Sequence, residues 1–119
     1  MEKHLVFNNI AIVGAGAMGT GIAQVVSQSG AKVYLYDISH ENTLSAKRKL
    51  EQTLEKLVIK KKFNTDEAKS ILDRIVPVEK LSQTIDVGLV IEAVSENLEI
   101  KTKLFKSSRG RINSLFKMN

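Results

Sequence analysis

Apolar positions follow two rhythms along the chain. Ile10-Ala11-Ile12-Val13 is an unbroken apolar run that ends on glycines, as a strand buried on both faces of a parallel sheet reads. Val33-Tyr34-Leu35-Tyr36-Asp37 and Val87-Gly88-Leu89-Val90-Ile91 repeat the pattern, the first of them closed by an acid. Between these runs the spacing turns helical. Met18, Ile22, Val25 and Val26 predict a helix that Gly30 is placed to stop. Leu50, Leu54, Leu57 and Val58 predict a long amphipathic helix to about Lys61, with Ser39 as its N-cap and Glu41 in its first turn. Asn64 and Glu67 stand at capping-box spacing and restart a short helix. Ile75-Val76-Pro77-Val78 reads as a short edge strand, because proline cannot donate to a ladder. A last helix is expected from about Asn97, where Ile100 and Leu104 are four apart and Leu98 and Phe105 share their face.

Strands alternating with helices, without internal repeat, linker or low-complexity segment, predict an α/β fold built on a doubly wound parallel sheet. The long helix pair is an insertion after the second strand. At 119 residues the chain is one domain at most.

Composition narrows the chemistry. The chain has no cysteine, which excludes disulfides and thiolate metal sites and fits a reducing compartment. His4 and His40 are too few and too far apart to suggest a metal cluster, so no metal is expected. The first residues lack an apolar signal-peptide core, and no apolar run is long enough to span a bilayer. A soluble, cytoplasmic chain without a membrane partner is expected. The net charge of +5 comes from helical clusters, Lys47-Arg48-Lys49 and Lys60-Lys61-Lys62, and a basic tail from Lys101 to Lys117. Acidic residues lie between them without aromatic interleaving, so a solvated helix face or an anionic small molecule is expected rather than nucleic acid.

The turn Gly14-Ala15-Gly16-Ala17-Met18-Gly19 carries the most specific chemistry. A GxGxxG alone is weak, but here a buried strand precedes it, a helix follows, and an acid closes the next strand. Gly14 allows the tight turn, Gly16 leaves room for a pyrophosphate at the backbone, and Gly19 lets the helix approach the strand. Free N–H groups at the helix start then face the phosphates. Asp37 lies 18 residues beyond Gly19, near the usual separation of about 20 for the carboxylate that binds the adenosine ribose. A 2′-phosphate would meet that charge, and Ile38-Ser39 offers no arginine to receive it, so NAD is favoured over NADP. FAD uses a similar fingerprint and stays open, as does a tight turn without a ligand. The fold expected is thus an incomplete Rossmann-type sheet. Gly21 lies outside the fingerprint and is expected to reflect close helix packing.

Ile12 to Gln24, Tyr36-Asp37-Ile38-Ser39, and Leu89 to Lys101 (LVIEAVSENLEIK) resemble, in this order, three blocks of the 3-hydroxyacyl-CoA dehydrogenase family, here of the 3-hydroxybutyryl-CoA dehydrogenase type. The likeness covers about residues 8 to 106. It implies an NAD-binding domain in which Gly14, Gly16, Ala17, Met18 and Gly19 hold the pyrophosphate and Asp37 and Ile38 flank the adenosine. It further implies that Ala93 and Val94 line the cofactor cleft, with Glu96 and Lys101 near the nicotinamide half. Thr53 and Lys60 match positions where the family rests the adenosine-phosphate end of an acyl-CoA substrate. Read alone, Glu96, Lys101 and Lys60 would be solvated charges.

The family continues into an Asn-Thr-Ser strand, a catalytic His-Glu pair and a helical dimerisation domain, and nothing here matches them. No histidine follows His40, so no catalytic residue is assigned. Residues 1–106 are therefore expected to be a partial NAD-binding domain and 107–119 a tail out of register with the family, by truncation or frameshift. Reading the encoding DNA in its other frames tests this; failure to restore an Asn-Thr-Ser strand removes the frameshift. Two further readings remain: a non-catalytic dinucleotide-binding module or structural subunit, and a folded remnant that self-associates through an unpaired sheet edge.

Overall fold

The computed structural model describes residues 8–84, 86–94 and 99–104; for 94, 99–101, 103 and 104 only the backbone is described. In chain order the elements are β1 (Asn9–Val13), α1 (Ala17–Gln28), β2 (Lys32–Tyr36), α2 (His40–Ile59), α3 (Thr65–Asp73), β3 (Ile75–Pro77), β4 (Leu89–Val94) and β5 (Glu99–Leu104). They form a five-stranded sheet in the order β3-β2-β1-β4-β5. β1 to β4 are mutually parallel, and β5 runs antiparallel to β4.

Alternation along the central strands sorts side chains onto two faces. Ile10, Ile12, Val33, Leu35, Ile75 and Ile91 meet Ala23 of α1 and Ala46 and Leu50 of α2 in one cluster. Ala11, Tyr34 and Val90 meet Val78, Leu81 and Val87 of the β3–β4 connection in another. Both faces of β1 are thereby buried, which is why its sequence is continuously apolar. Leu54 joins Ala68 and Ile71 in a third cluster that fixes α3 on α2. Among the described residues all three α-helices pack on one face, and the connection through Leu81–Gln83 covers the other.

The expected helix starts are realised. Ser39 accepts from Asn42 N, and Asn64 and Glu67 exchange both capping-box bonds. Gly30 sits at φ +103° just beyond α1. The long helix ends at Ile59, slightly short of the expected Lys61. Lys61 takes φ 63°, while the amides of Lys61 and Lys62 turn back to Val58 O and Leu57 O. This is the double bond pattern of a left-handed helix stop, made by a lysine where glycine is usual.

The segment after β4 differs from expectation. Residues 99–104 form a strand, not the helix that the spacing of Ile100 and Leu104 suggests, and Ile100 lies opposite Ala93. A helix of about ten residues is marginal without a packing partner, whereas the edge of β4 offers a row of unpaired N–H and C=O groups. The ladder wins. β5 therefore occupies that edge of β4, and among the described residues the outer strands are β5 and the proline-bearing β3.

Gly21 also departs from expectation. A methyl group placed there would meet nothing within 4 Å, and the residue is exposed. Helix packing does not require glycine at this position. Gly21→Ala is expected to stabilise the fold by about 0.5–1 kcal/mol, through helix propensity and a less flexible unfolded chain, read as a raised urea midpoint.

Candidate functional site

The site is built where β1 turns into α1. Gly14 has φ +115°, and a methyl group on it would lie 2.2 Å from Ala93 O. On Gly19 it would lie 1.7 Å from Gly14 O, and Ala93 Cβ is within 3.6 Å of both positions. The two glycines thus let α1 close onto β1 while Ala93, only 7% exposed, backs the turn from β4. Gly16 has φ −79°, a backbone open to any residue, and it is exposed.

The end of β2 holds the turn from the other side. Gly14 N donates to Tyr36 O at 2.7 Å and Ala15 N to Asp37 Oδ2 at 2.8 Å. The other carboxylate oxygen, Oδ1, accepts from Ser39 N at 2.9 Å. The latter bond is an Asx-turn, with an aspartate accepting from the amide two residues on. A sequence signal for it existed in Asp37-Ile38-Ser39.

The start of α1 is unlike those of α2 and α3. Its N-cap is Gly16, without a side-chain cap, and its first turn holds no acid. Ser39 and Asn64 cap the other two, with Glu41, Asp66 and Glu67 in their first turns. The first amide bonded along α1 is Thr20 N, to Gly16 O at 2.9 Å. The N–H groups of residues 16 to 19 find no acceptor among the described residues and, with the dipole of the helix, make a cradle for an anion. Next to this cradle α1 and α2 enclose a cleft of about 440 Å³ lined by Gly16, Ala17, Gly21, Asn42, Lys49 and Thr53, among others.

Gly14, Gly16, Ala17, Met18, Gly19 and Asp37 are therefore brought together as the sequence places them. Ile38 follows Asp37 with 94% of its surface exposed, an apolar platform beside the carboxylate. Thr53 joins the cleft; Lys60, the C-cap of α2, is exposed and does not line it. Val94 ends β4, and Lys101 lies on β5 opposite Glu92 instead of on a helix. Glu96 lies outside the described residues. His40 is half-buried, and its Nδ1 has no hydrogen-bond partner among the described residues. Among the described residues no group of acids and histidines is arranged to hold a metal ion, and no helix is long and apolar enough to cross a membrane.

Parallel strands, a glycine turn clamped between them, an open helix start and a carboxylate at the tip of β2 define a dinucleotide-binding domain of the Rossmann type. Residues 9–114 match the family model described as "3-hydroxyacyl-CoA dehydrogenase, NAD binding domain", and the chain belongs to that family. The matched span runs on past Lys106. The chain is 36% identical over 98 residues to a probable 3-hydroxybutyryl-CoA dehydrogenase of Bacillus subtilis, covering 82% of this chain and 34% of that one. It is 35% identical over 115 residues to the human mitochondrial hydroxyacyl-coenzyme A dehydrogenase, covering 87% of this chain and 35% of the relative. The crystal structure of 3-hydroxybutyryl-CoA dehydrogenase from Escherichia coli superposes with a TM-score of 0.72 at 36% identity, over 77% of this chain and 20% of that one. The chain thus spans about a third of the length of these two curated relatives. NAD is the cofactor of the family, and the cradle at residues 16 to 19 beside Asp37 fits a pyrophosphate and a ribose diol.

Proposed function

We propose that this chain is the cofactor-binding part of an oxidoreductase that interconverts 3-hydroxyacyl-CoA and 3-oxoacyl-CoA in fatty-acid breakdown, and that by itself it does not turn over. The observation that carries the first half is the pairing of an uncapped α1 start with the Asp37 carboxylate at the end of β2. In this reading the amides of residues 16 to 19 hold the pyrophosphate and Asp37 takes the adenosine ribose hydroxyls. Ile38 flanks the adenosine, Ala93 and Val94 line the cofactor cleft, and Glu96 and Lys101 are proposed to serve the nicotinamide half. NAD supplies the hydride acceptor when bound.

For the substrate, Thr53 in the cleft and Lys60 at the exposed end of α2 are proposed to receive the phosphate-bearing end of CoA. The division at Lys106 and a cytoplasmic location belong to the same proposal. Inactivity follows from the chemistry: a base must take the 3-hydroxyl proton as hydride leaves, and His4 and His40 are the chain's histidines. His40 opens α2, next to the adenosine end of the site. The same observation favours a second reading, a dinucleotide-binding module without turnover.

Incubating the purified chain with NADH and acetoacetyl-CoA, and following NADH absorbance, tests the proposed inactivity. No oxidation above background is expected; sustained turnover would contradict the assignment of no catalytic residue.

A further inference from the structure

We infer that Asp37 is a positioning residue for the glycine turn as well as a ligand for ribose, and that it performs both tasks at once. This rests on the NAD site proposed above. An ionised carboxylate has two oxygens and about four lone-pair positions. Asp37 uses one on each oxygen for the chain itself, Oδ2 for Ala15 N at 2.8 Å and Oδ1 for Ser39 N at 2.9 Å. That leaves one position on each oxygen, the number that the two vicinal hydroxyls of a ribose require. Binding the nucleotide therefore need not break either internal bond.

The bond to Ala15 matters because of where Ala15 lies. It stands between Gly14, whose amide is tied to Tyr36 O, and Gly16, the first residue of the anion cradle. Tyr36 O and Asp37 Oδ2 thus fix two successive amides of the turn from the tip of β2, while Ala93 blocks movement toward β4. No side chain caps the free amides at the start of α1, whose N-cap is a glycine; Thr20 Oγ1 donates to Ala15 O at 3.3 Å and leaves those amides open. The carboxylate aims the cradle at the phosphate position before any ligand arrives, and pre-organisation of this kind raises affinity by lowering the ordering cost of binding.

Asparagine is not a conservative replacement here. Its amide nitrogen is a donor, and whichever way the group is turned that nitrogen faces either Ala15 N–H or Ser39 N–H. One of the two internal bonds becomes a donor–donor contact.

The inference separates from simple ribose binding through a ligand without ribose hydroxyls. Affinities for ADP and for 2′,3′-dideoxy-ADP are measured on the full chain and on Asp37→Ala and Asp37→Asn, with thermal melts as a folding control. Amide hydrogen exchange at Ala15 is followed in parallel. If Asp37 sets the turn, both variants bind the dideoxy nucleotide about tenfold more weakly than the unaltered chain, the loss expected for one charge-assisted hydrogen bond. They lose a further factor of about ten for ADP. Exchange accelerates at Ala15 in Asp37→Ala, and at Ala15 or Ser39 in Asp37→Asn according to which bond the amide gives up, while amides of β1 and β2 keep their protection; uniform acceleration would mark general loosening and would overturn the specific role. Unchanged dideoxy-ADP affinity with weakened ADP affinity would also overturn it and leave Asp37 a ribose ligand only. Should the unaltered chain bind neither nucleotide, the proposed NAD site itself fails. Should either variant not fold, Ala15 exchange in the unaltered chain decides: it is as slow as that of Gly14 if the carboxylate bond persists, and exchange at the rate of an open loop would refute the inference.

Discussion

Gly19→Ala is expected to destabilise the fold by about 3 kcal/mol or more, at or beyond the upper end of overpacking costs. The added methyl would lie 1.7 Å from Gly14 O, a backbone atom of the same turn that no rotamer change can move. Relief requires α1 to slide away from β1, which opens the packing of Ala23 against Ile10 and Ile12. A fall of that size is a large share of the stability of about 5–15 kcal/mol typical of a small domain. Urea denaturation followed by circular dichroism measures it. Gly21→Ala, one half-turn further along the same helix, is the matched control with the opposite expected sign. Equal shifts for both would show that the tight approach at Gly19 is not what holds α1 in place.

NADPH is expected to bind about thirtyfold more weakly than NADH. The extra 2′-phosphate would enter beside a carboxylate whose orientation is fixed by Ala15 N and Ser39 N, so the charge cannot swing away. Like-charge contact of this kind costs on the order of 2 kcal/mol in a half-exposed site, and about 1.4 kcal/mol is a factor of ten. Competition against NADH fluorescence measures the ratio, and raised salt should narrow it by screening. Comparable affinities would mean that Asp37 does not face the ribose.

Much of this was legible in the residues because local chemistry and tertiary packing agree. The apolar run at Ile10 to Val13 forms β1, Pro77 confines its strand to the sheet edge, and Asn64 with Glu67 makes the capping box. Gly14, Gly19 and Asp37 meet because strand, turn and strand carry them there. What was not legible depends on partners far along the chain. Lys47 reads as one of three solvated cations, yet its ammonium donates to Ile75 O at 2.7 Å and ties α2 to β3. The Arg74 guanidinium likewise spans Ser27 O at 2.9 and 2.6 Å, and Ser27 in turn donates to Ile71 O. Those bonds join the ends of α1 and α3 and leave no local trace in sequence. Residues 99–104 carry a helical spacing that the neighbouring strand edge overrides. Gly21 reads as a packing glycine, but the structure has open space around it.

The claim that the turn from Gly14 to Gly19 is an NAD cradle is tested most directly by fluorescence titration with NADH of the unaltered chain, Gly16→Val and Asp37→Ala. Gly16 is exposed with an ordinary backbone conformation, so valine there should leave the melting curve nearly unchanged while its branches fill the pyrophosphate position. Saturable NADH binding by the unaltered chain, lost in Gly16→Val and weakened in Asp37→Ala, is the predicted result. Equal affinity in all three proteins would place the cofactor elsewhere and contradict the account.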